Sequence, residues 1–265
     1  MIKGVISIFM VLTYSMVCQS ISGQPVETLK LEGKKFSVDL MGNVYWTQDQ
    51  TLIKYQPETG EQYEYSDNFL GPVHSFDVSN PLKILVYHRA FNRIVFLDKI
   101  LSTIGSAVNL DEMGLTNTGS CCISHNGGFW LLNNTINQIQ RYSSNLKLIQ
   151  ETPVINELDE SQNTAPQLIE KNRQLYCHLS DCCTLVFDRF GNPIRRYPLK
   201  NVDNIQILNG NIYYFYEGSL NRLNGKTGES EAIPLPKGNS YWDDAKIGKQ
   251  KLYLLKKQTL YIYNR

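Results

Sequence analysis

Along most of the chain, apolar residues alternate with polar ones for a few positions, break at a polar turn, and resume. Period-two alternation bounded by turn residues is the pattern of half-buried strands joined as hairpins. Asn43-Val44-Tyr45-Trp46 is followed after a turn by Thr51-Leu52-Ile53-Lys54-Tyr55, and Lys83–Tyr87 by Arg93–Asp98. Gly128–Leu132 pairs in the same way with Ile136–Tyr142, and Gln174–Cys177 with Thr184–Asp188. Asn211–Tyr216 with Ser219–Leu223, and Lys251–Leu255 with Thr259–Tyr263, continue the series. Helical periodicity is weak throughout, and Leu101–Met113 is the one ambiguous stretch.

Each hairpin is preceded by another short strand, with starts near Phe36, Val73, Ser120, Gln167, Asn204 and Trp242. The intervals compare with the roughly 40 to 50 residues of a propeller blade. Fourth strands such as Glu61–Tyr65 and Pro193–Leu199 are more polar, as an edge that meets water should be. The spacing predicts an all-β chain folded as a six-bladed β-propeller over residues 24–265, with five or seven blades as the alternative counts. The last copy stops after its third strand at Arg265, while Thr28–Leu31 has no blade before it. The N-terminal strand is therefore predicted to close the last blade, which removes two exposed edges.

The first 23 residues follow a different pattern. Lys3 is the sole charge, an apolar run spans Val5–Val17, and small and polar residues follow to Gly23. That order predicts a secretory signal peptide over residues 1–23. The apolar run is shorter than the ~18 to 20 residues that cross a bilayer, and no later segment approaches that length, so the mature chain is expected to carry no transmembrane span. Cleavage before Gln24 is preferred, with cleavage after Ser20 as a competitor. Cys18 opens another reading, a lipoprotein acylated on that thiol, although Ser15-Met16-Val17 are not the small residues that usually precede one.

Composition sharpens this picture at two points. The 16 Tyr, 10 Phe and 3 Trp favour strands and read as packing between blades. The 26 Lys+Arg against 25 Asp+Glu offer no basic excess to displace counterions, which excludes nucleic acid as the expected partner.

Candidate chemistry is sparse. Five cysteines follow the signal segment, Cys121, Cys122, Cys177, Cys182 and Cys183, and an odd count leaves one free even in an oxidising compartment. Cys177 and Cys182 flank a predicted hairpin turn across which they could pair; otherwise the thiols serve as small apolar strand residues. No CxxC occurs, and His125 and His178 lack zinc-ligand spacing. Asp39, Asp77, Asn126 and Asp243 sit near first-strand ends, where converging oxygens could hold a divalent metal. The competing reading makes them turn and capping residues bonded to their own backbone. His74, His88, His125 and His178 are the candidate general bases, with structural or surface roles as the alternative. No GxSxG, HExxH or Walker loop is present, and Asn133-Asn134-Thr135 is a bare glycosylation sequon.

Three segments carry a family resemblance: Ser79-Asn80-Pro81-Leu82-Lys83-Ile84-Leu85-Val86-Tyr87 with Phe91 and Ile94–Asp98, Ser124–Trp130 with Ile139–Tyr142, and Val186–Gly191. Here the chain resembles exported single-domain propellers of Bacteroidota, a family similar to the plug subunit of the type 9 secretion translocon. The resemblance implies a propeller without catalytic residues that blocks the periplasmic side of an outer-membrane pore, and it transfers no individual binding residue.

The expected function is thus a non-catalytic, exported interaction propeller, periplasmic or outer-membrane associated. Its expected partner is a protein, an outer-membrane secretion channel that it plugs or scaffolds, and no cofactor is expected. The alternatives are a metal-dependent, lactonase-like hydrolase and a carbohydrate-binding propeller with exposed aromatics on one face. The long segments Leu101–Thr118 and Glu151–Ala165 are the candidate partner contacts.

Overall fold

In the computed structural model, the described residues are 23–33, 35–158, 165–236 and 241–265. They form six four-stranded antiparallel sheets, the blades of a six-bladed propeller. The inner strands are Phe36–Val38, Ser75–Asp77, Thr118–Ile123, Gln167–Lys171, Ile205–Leu208 and Asp244–Ile247. In the first five blades the other strands follow outward in chain order. In the sixth, Lys251–Lys256 and Thr259–Asn264 are followed by Glu27–Lys30 from the start of the chain. Glu27 lies opposite Ile262 and Lys30 opposite Thr259, and the Leu31 N–H donates to the Gln258 carbonyl at 2.7 Å. The expected closure by the N-terminal strand is therefore the observed one.

The core lies between blades. Successive strand residues point to opposite sheet faces, so a central strand feeds two interfaces at once. Tyr45 packs toward blade two, with Ile84, Val86 and Leu97, while its neighbours Val44 and Trp46 pack toward blade six, with Tyr253, Leu255 and Ile262. In blade two, Leu85 and Tyr87 turn the other way and meet Cys121, Phe129 and Leu131 of blade three. Strands buried on both faces become continuous apolar runs, which is why Ile84-Leu85-Val86-Tyr87 carries no polar break. The rings serve this packing: Phe96 of blade two and Phe129 of blade three face each other with centroids 6.4 Å apart.

The same alternation decides the cysteines. Cys121 enters the interface of blades two and three, and Cys122 that of blades three and four. Cys177 lies opposite Leu185, not Cys182, which occupies the turn; the possible bridge across this hairpin does not form, and all five thiols are free. Burial pushes the thiols of Cys121, Cys122 and Cys177 well up, so they behave as small apolar groups.

The ambiguous stretch Leu101–Met113 resolves into the short outer strand Val108–Asn109 and a single 3-10 turn, Asp111–Met113. In the two long segments, Leu101, Leu110 and Leu115 of the first and Thr152 and Ile155 of the second are buried, while most of the other described residues are exposed. The signal-peptide segment, apart from Gly23, and Cys18 with its lipoprotein reading lie outside the described residues. No helix among the described residues is long and apolar enough to cross a membrane.

Candidate functional site

The inner strands run side by side in one direction, and side chains stitch their exposed backbone edges together. The Gln167 side chain accepts from the Ile205 N–H at 2.8 Å and donates to the Ile205 carbonyl at 3.2 Å. Gln206 accepts from the Ile247 N–H at 2.9 Å, and Asp77 from the Ile123 N–H at 2.8 Å. These bonds satisfy edge donors that have no ladder partner. Their common direction gives the molecule an entry face, where inner strands begin, and an exit face, where they end. Between them the six strands enclose a channel of about 530 Å³. Its lining includes five bases, Lys35, Arg89, Lys171, Lys246 and Lys249, and two carboxylates, Asp39 and Asp77.

Neither carboxylate is free for a ligand. Asp39 Oδ1 accepts from the N–H groups of Met41 and Asn43 at 2.8 and 3.0 Å, and Oδ2 from Asn43 Nδ2 and Tyr45 Oη at 2.7 and 2.9 Å. Asp77 takes backbone N–H groups from Ser79 and Ile123; enclosure in the channel wall raises its pKa, and the two N–H bonds oppose that rise. Asp243 accepts from the Lys257 N–H at 2.7 Å on the entry face, while Asn126 is exposed in a turn on the exit face. The four oxygens considered for a metal therefore do not converge. Among the described residues no group of three or more His, Cys, Asp or Glu is placed to hold one.

The four imidazoles go to three kinds of place. His88 and His178 are wholly buried, each with one nitrogen donating to a carbonyl, of Gly71 at 2.9 Å and Val202 at 2.7 Å. Their other nitrogens accept from Tyr65 Oη at 3.1 Å and Thr184 Oγ1 at 2.9 Å. Burial pushes both below the ordinary histidine value, which fits the single-proton form this bonding requires. His74 stands edge-on to Tyr87 at the channel, lowered by burial and by the charge of Arg89.

His125 differs. Its Nδ1 donates to Glu170, a buried carboxylate that also accepts from Trp130 Nε1 at 2.6 Å and from the His125 N–H at 3.4 Å. Arg141 lies 3.3 Å from the same ring nitrogen, donates to Ser124 Oγ at 2.7 Å and rests over Trp130. This cluster bolts blade three to blade four, with the His125 side chain 38% exposed. Glu170 was not a candidate from sequence; the signal was a carboxylate within the strand Gln167-Leu168-Ile169-Glu170-Lys171, where an apolar residue is usual.

The entry face also carries large rings turned outward. Asp67 Oδ1 takes the N–H groups of Phe69 and Leu70, at 2.8 and 3.2 Å, in a side-chain turn that leaves Phe69 87% exposed. Phe91 ends the 3-10 turn Arg89–Phe91, closed by Asn92 in the left-handed region (φ +50°), and is 52% exposed. Asn92 is itself anchored through Nδ2 to the Leu115 carbonyl at 2.7 Å. Tyr241, just before blade six, is 92% exposed. Of the tryptophans, Trp46 and Trp130 are buried and Trp242 packs edge-on against Tyr261.

No family model matches the chain, and no curated protein matches it. Solved structures do resemble it. A streptogramin B lyase is 15% identical with a TM-score of 0.58, over 89% of this chain and 84% of that one. BamB from Moraxella catarrhalis is 10% identical with a TM-score of 0.55, over 91% and 99%. A chain of the mitotic checkpoint complex is 9% identical with a TM-score of 0.58, over 100% and 99%. At such identities the likeness bears on the fold alone.

Proposed function

We propose that this chain is an exported, non-catalytic interaction propeller that docks on protein through its entry face and plugs or scaffolds an outer-membrane secretion channel. The observation that carries the docking reading is the outward placement of Phe69 and Phe91 on loops whose backbones are fixed by their own hydrogen bonds. Exposed rings on preformed loops lose little freedom when covered, and such anchors dominate protein interfaces. Binding is favoured over hydrolysis because Asp39, Asp77 and Asp243 are spent on backbone donors, and His88 and His178 are sealed in the core. The secretion-channel part rests on the sequence resemblance and on the disc form with two loop faces. Among the similar structures, the mitotic checkpoint chain belongs to a protein complex.

The test is capture from detergent-solubilised envelopes of the producing cell with wild type and the double variant Phe69→Ala/Phe91→Ala. Recovery of an outer-membrane channel protein by wild type, reduced at least ~10-fold by the variant, is the expected result. Equal recovery by both would rule out the entry face, and recovery of no envelope protein would rule out the function.

A further inference from the structure

The channel wall holds an imbalance that the docking reading does not use. Of its five bases, Lys246 lies 3.3 Å from Asp244 and Lys35 lies 3.3 Å from an exposed Asp203. Arg89, Lys171 and Lys249 have no carboxylate within 4.0 Å among the described residues. Both lining carboxylates are occupied by donors of the protein itself, Asp39 by four and Asp77 by two.

A second observation lies at the entry mouth of the channel. Arg89 and His74 line the cavity there together, and the charge of Arg89 reaches the imidazole. Lys171 and Lys249 line the same cavity where the inner strands end.

We infer that the central channel is a binding site for a small organic anion of at least two negative charges, a phosphate ester or a polycarboxylate, held between Arg89 and His74 at the entry side and the lysines toward the exit side. A guanidinium fork matches the oxygens of phosphate and carboxylate, and an ammonium pairs with the same oxygens as a point charge. Lys171 and Lys249, toward the exit side, supply charge for a second anionic group. A volume of about 530 Å³ exceeds the needs of a lone inorganic ion and falls among cavities that hold small metabolites.

The experiment is titration calorimetry and thermal melting of the full mature chain, at fixed ionic strength, with citrate, glucose 6-phosphate and inorganic phosphate, and with glucose as neutral control. The expected result is saturable binding of citrate or glucose 6-phosphate, tighter than inorganic phosphate, with no response to glucose. Whichever of the two binds identifies the anion as carboxylate or phosphate. Arg89→Gln should weaken it at least 10-fold, and Lys249→Gln at least 3-fold with the fold preserved, whereas Lys147→Gln, on an exposed turn away from the channel, should leave it unchanged. Absence of saturable binding by every anion would overturn the inference. So would equal weakening by Arg89→Gln and Lys147→Gln, or an unchanged affinity in Lys249→Gln. The measurement uses no protein partner, so its outcome is separate from that of envelope capture.

Discussion

His88 and His178 tie stability to pH. Both imidazoles are buried in the single-proton form, with folded pKa values below the unfolded 6.5. Above pH 6.5 neither state holds the extra proton, and the stability they allow is fully present. As pH falls below 6.5 the unfolded chain takes up protons that the folded chain refuses, and stability is lost, at up to about 1.4 kcal/mol per pH unit for each residue. Urea unfolding between pH 7.5 and 5 should show this slope, and His178→Gln should reduce it. A flat profile would mean the two rings charge freely in place. A second test concerns backbone shape. Lys257 and Gln258 form the two-residue turn of the last hairpin with φ of +46° and +63°, where side chains are strained. Gln258→Gly should stabilise the chain by about 1 kcal/mol in the same assay. Roles at this scale were the least legible in the sequence. His88 depends on Tyr65 and His178 on Val202, partners from neighbouring loops and strands that no local motif announces.

Strands were legible because period-two alternation and turn residues are local properties. The hairpin second and third strands show this best, since their apolar runs answer to burial on both faces. Leu101–Met113 stayed ambiguous because a two-residue strand is too short to display a period, and the buried leucines around it serve packing. The closing strand Glu27–Lys30 was readable only through the count of the other strands. Deleting residues 24–33 should remove that edge and the buried Leu31, and lower the melting temperature by at least ~10 °C. An unchanged melt would contradict the closure. The joint between blades three and four admits a matching test. Glu170→Ala strands the Trp130 Nε1–H and the His125 donor, and should cost about 3 kcal/mol in urea unfolding. A loss below 0.5 kcal/mol, roughly the level of an ordinary surface change, would make the cluster ornamental.

At the scale of the whole molecule, the ring separates two tasks. Interfaces between blades absorb most of the large apolar side chains, while the channel wall and the loop faces stay accessible. The fold was legible because it is a repeat, while the candidate sites were not, because each is assembled once. Phe69 and Phe91 reach the entry face from different connections, and Arg89, Lys171 and Lys249 reach the channel from three different blades. Protein docking through the entry face is the central claim, and site-specific photo-crosslinking in the producing cell tests it most directly. With p-benzoylphenylalanine at position 69, the expected result is a covalent adduct with an outer-membrane channel protein, absent when the same group stands at position 194 on an outer strand. No adduct at position 69, or the same adduct at both positions, would contradict the claim.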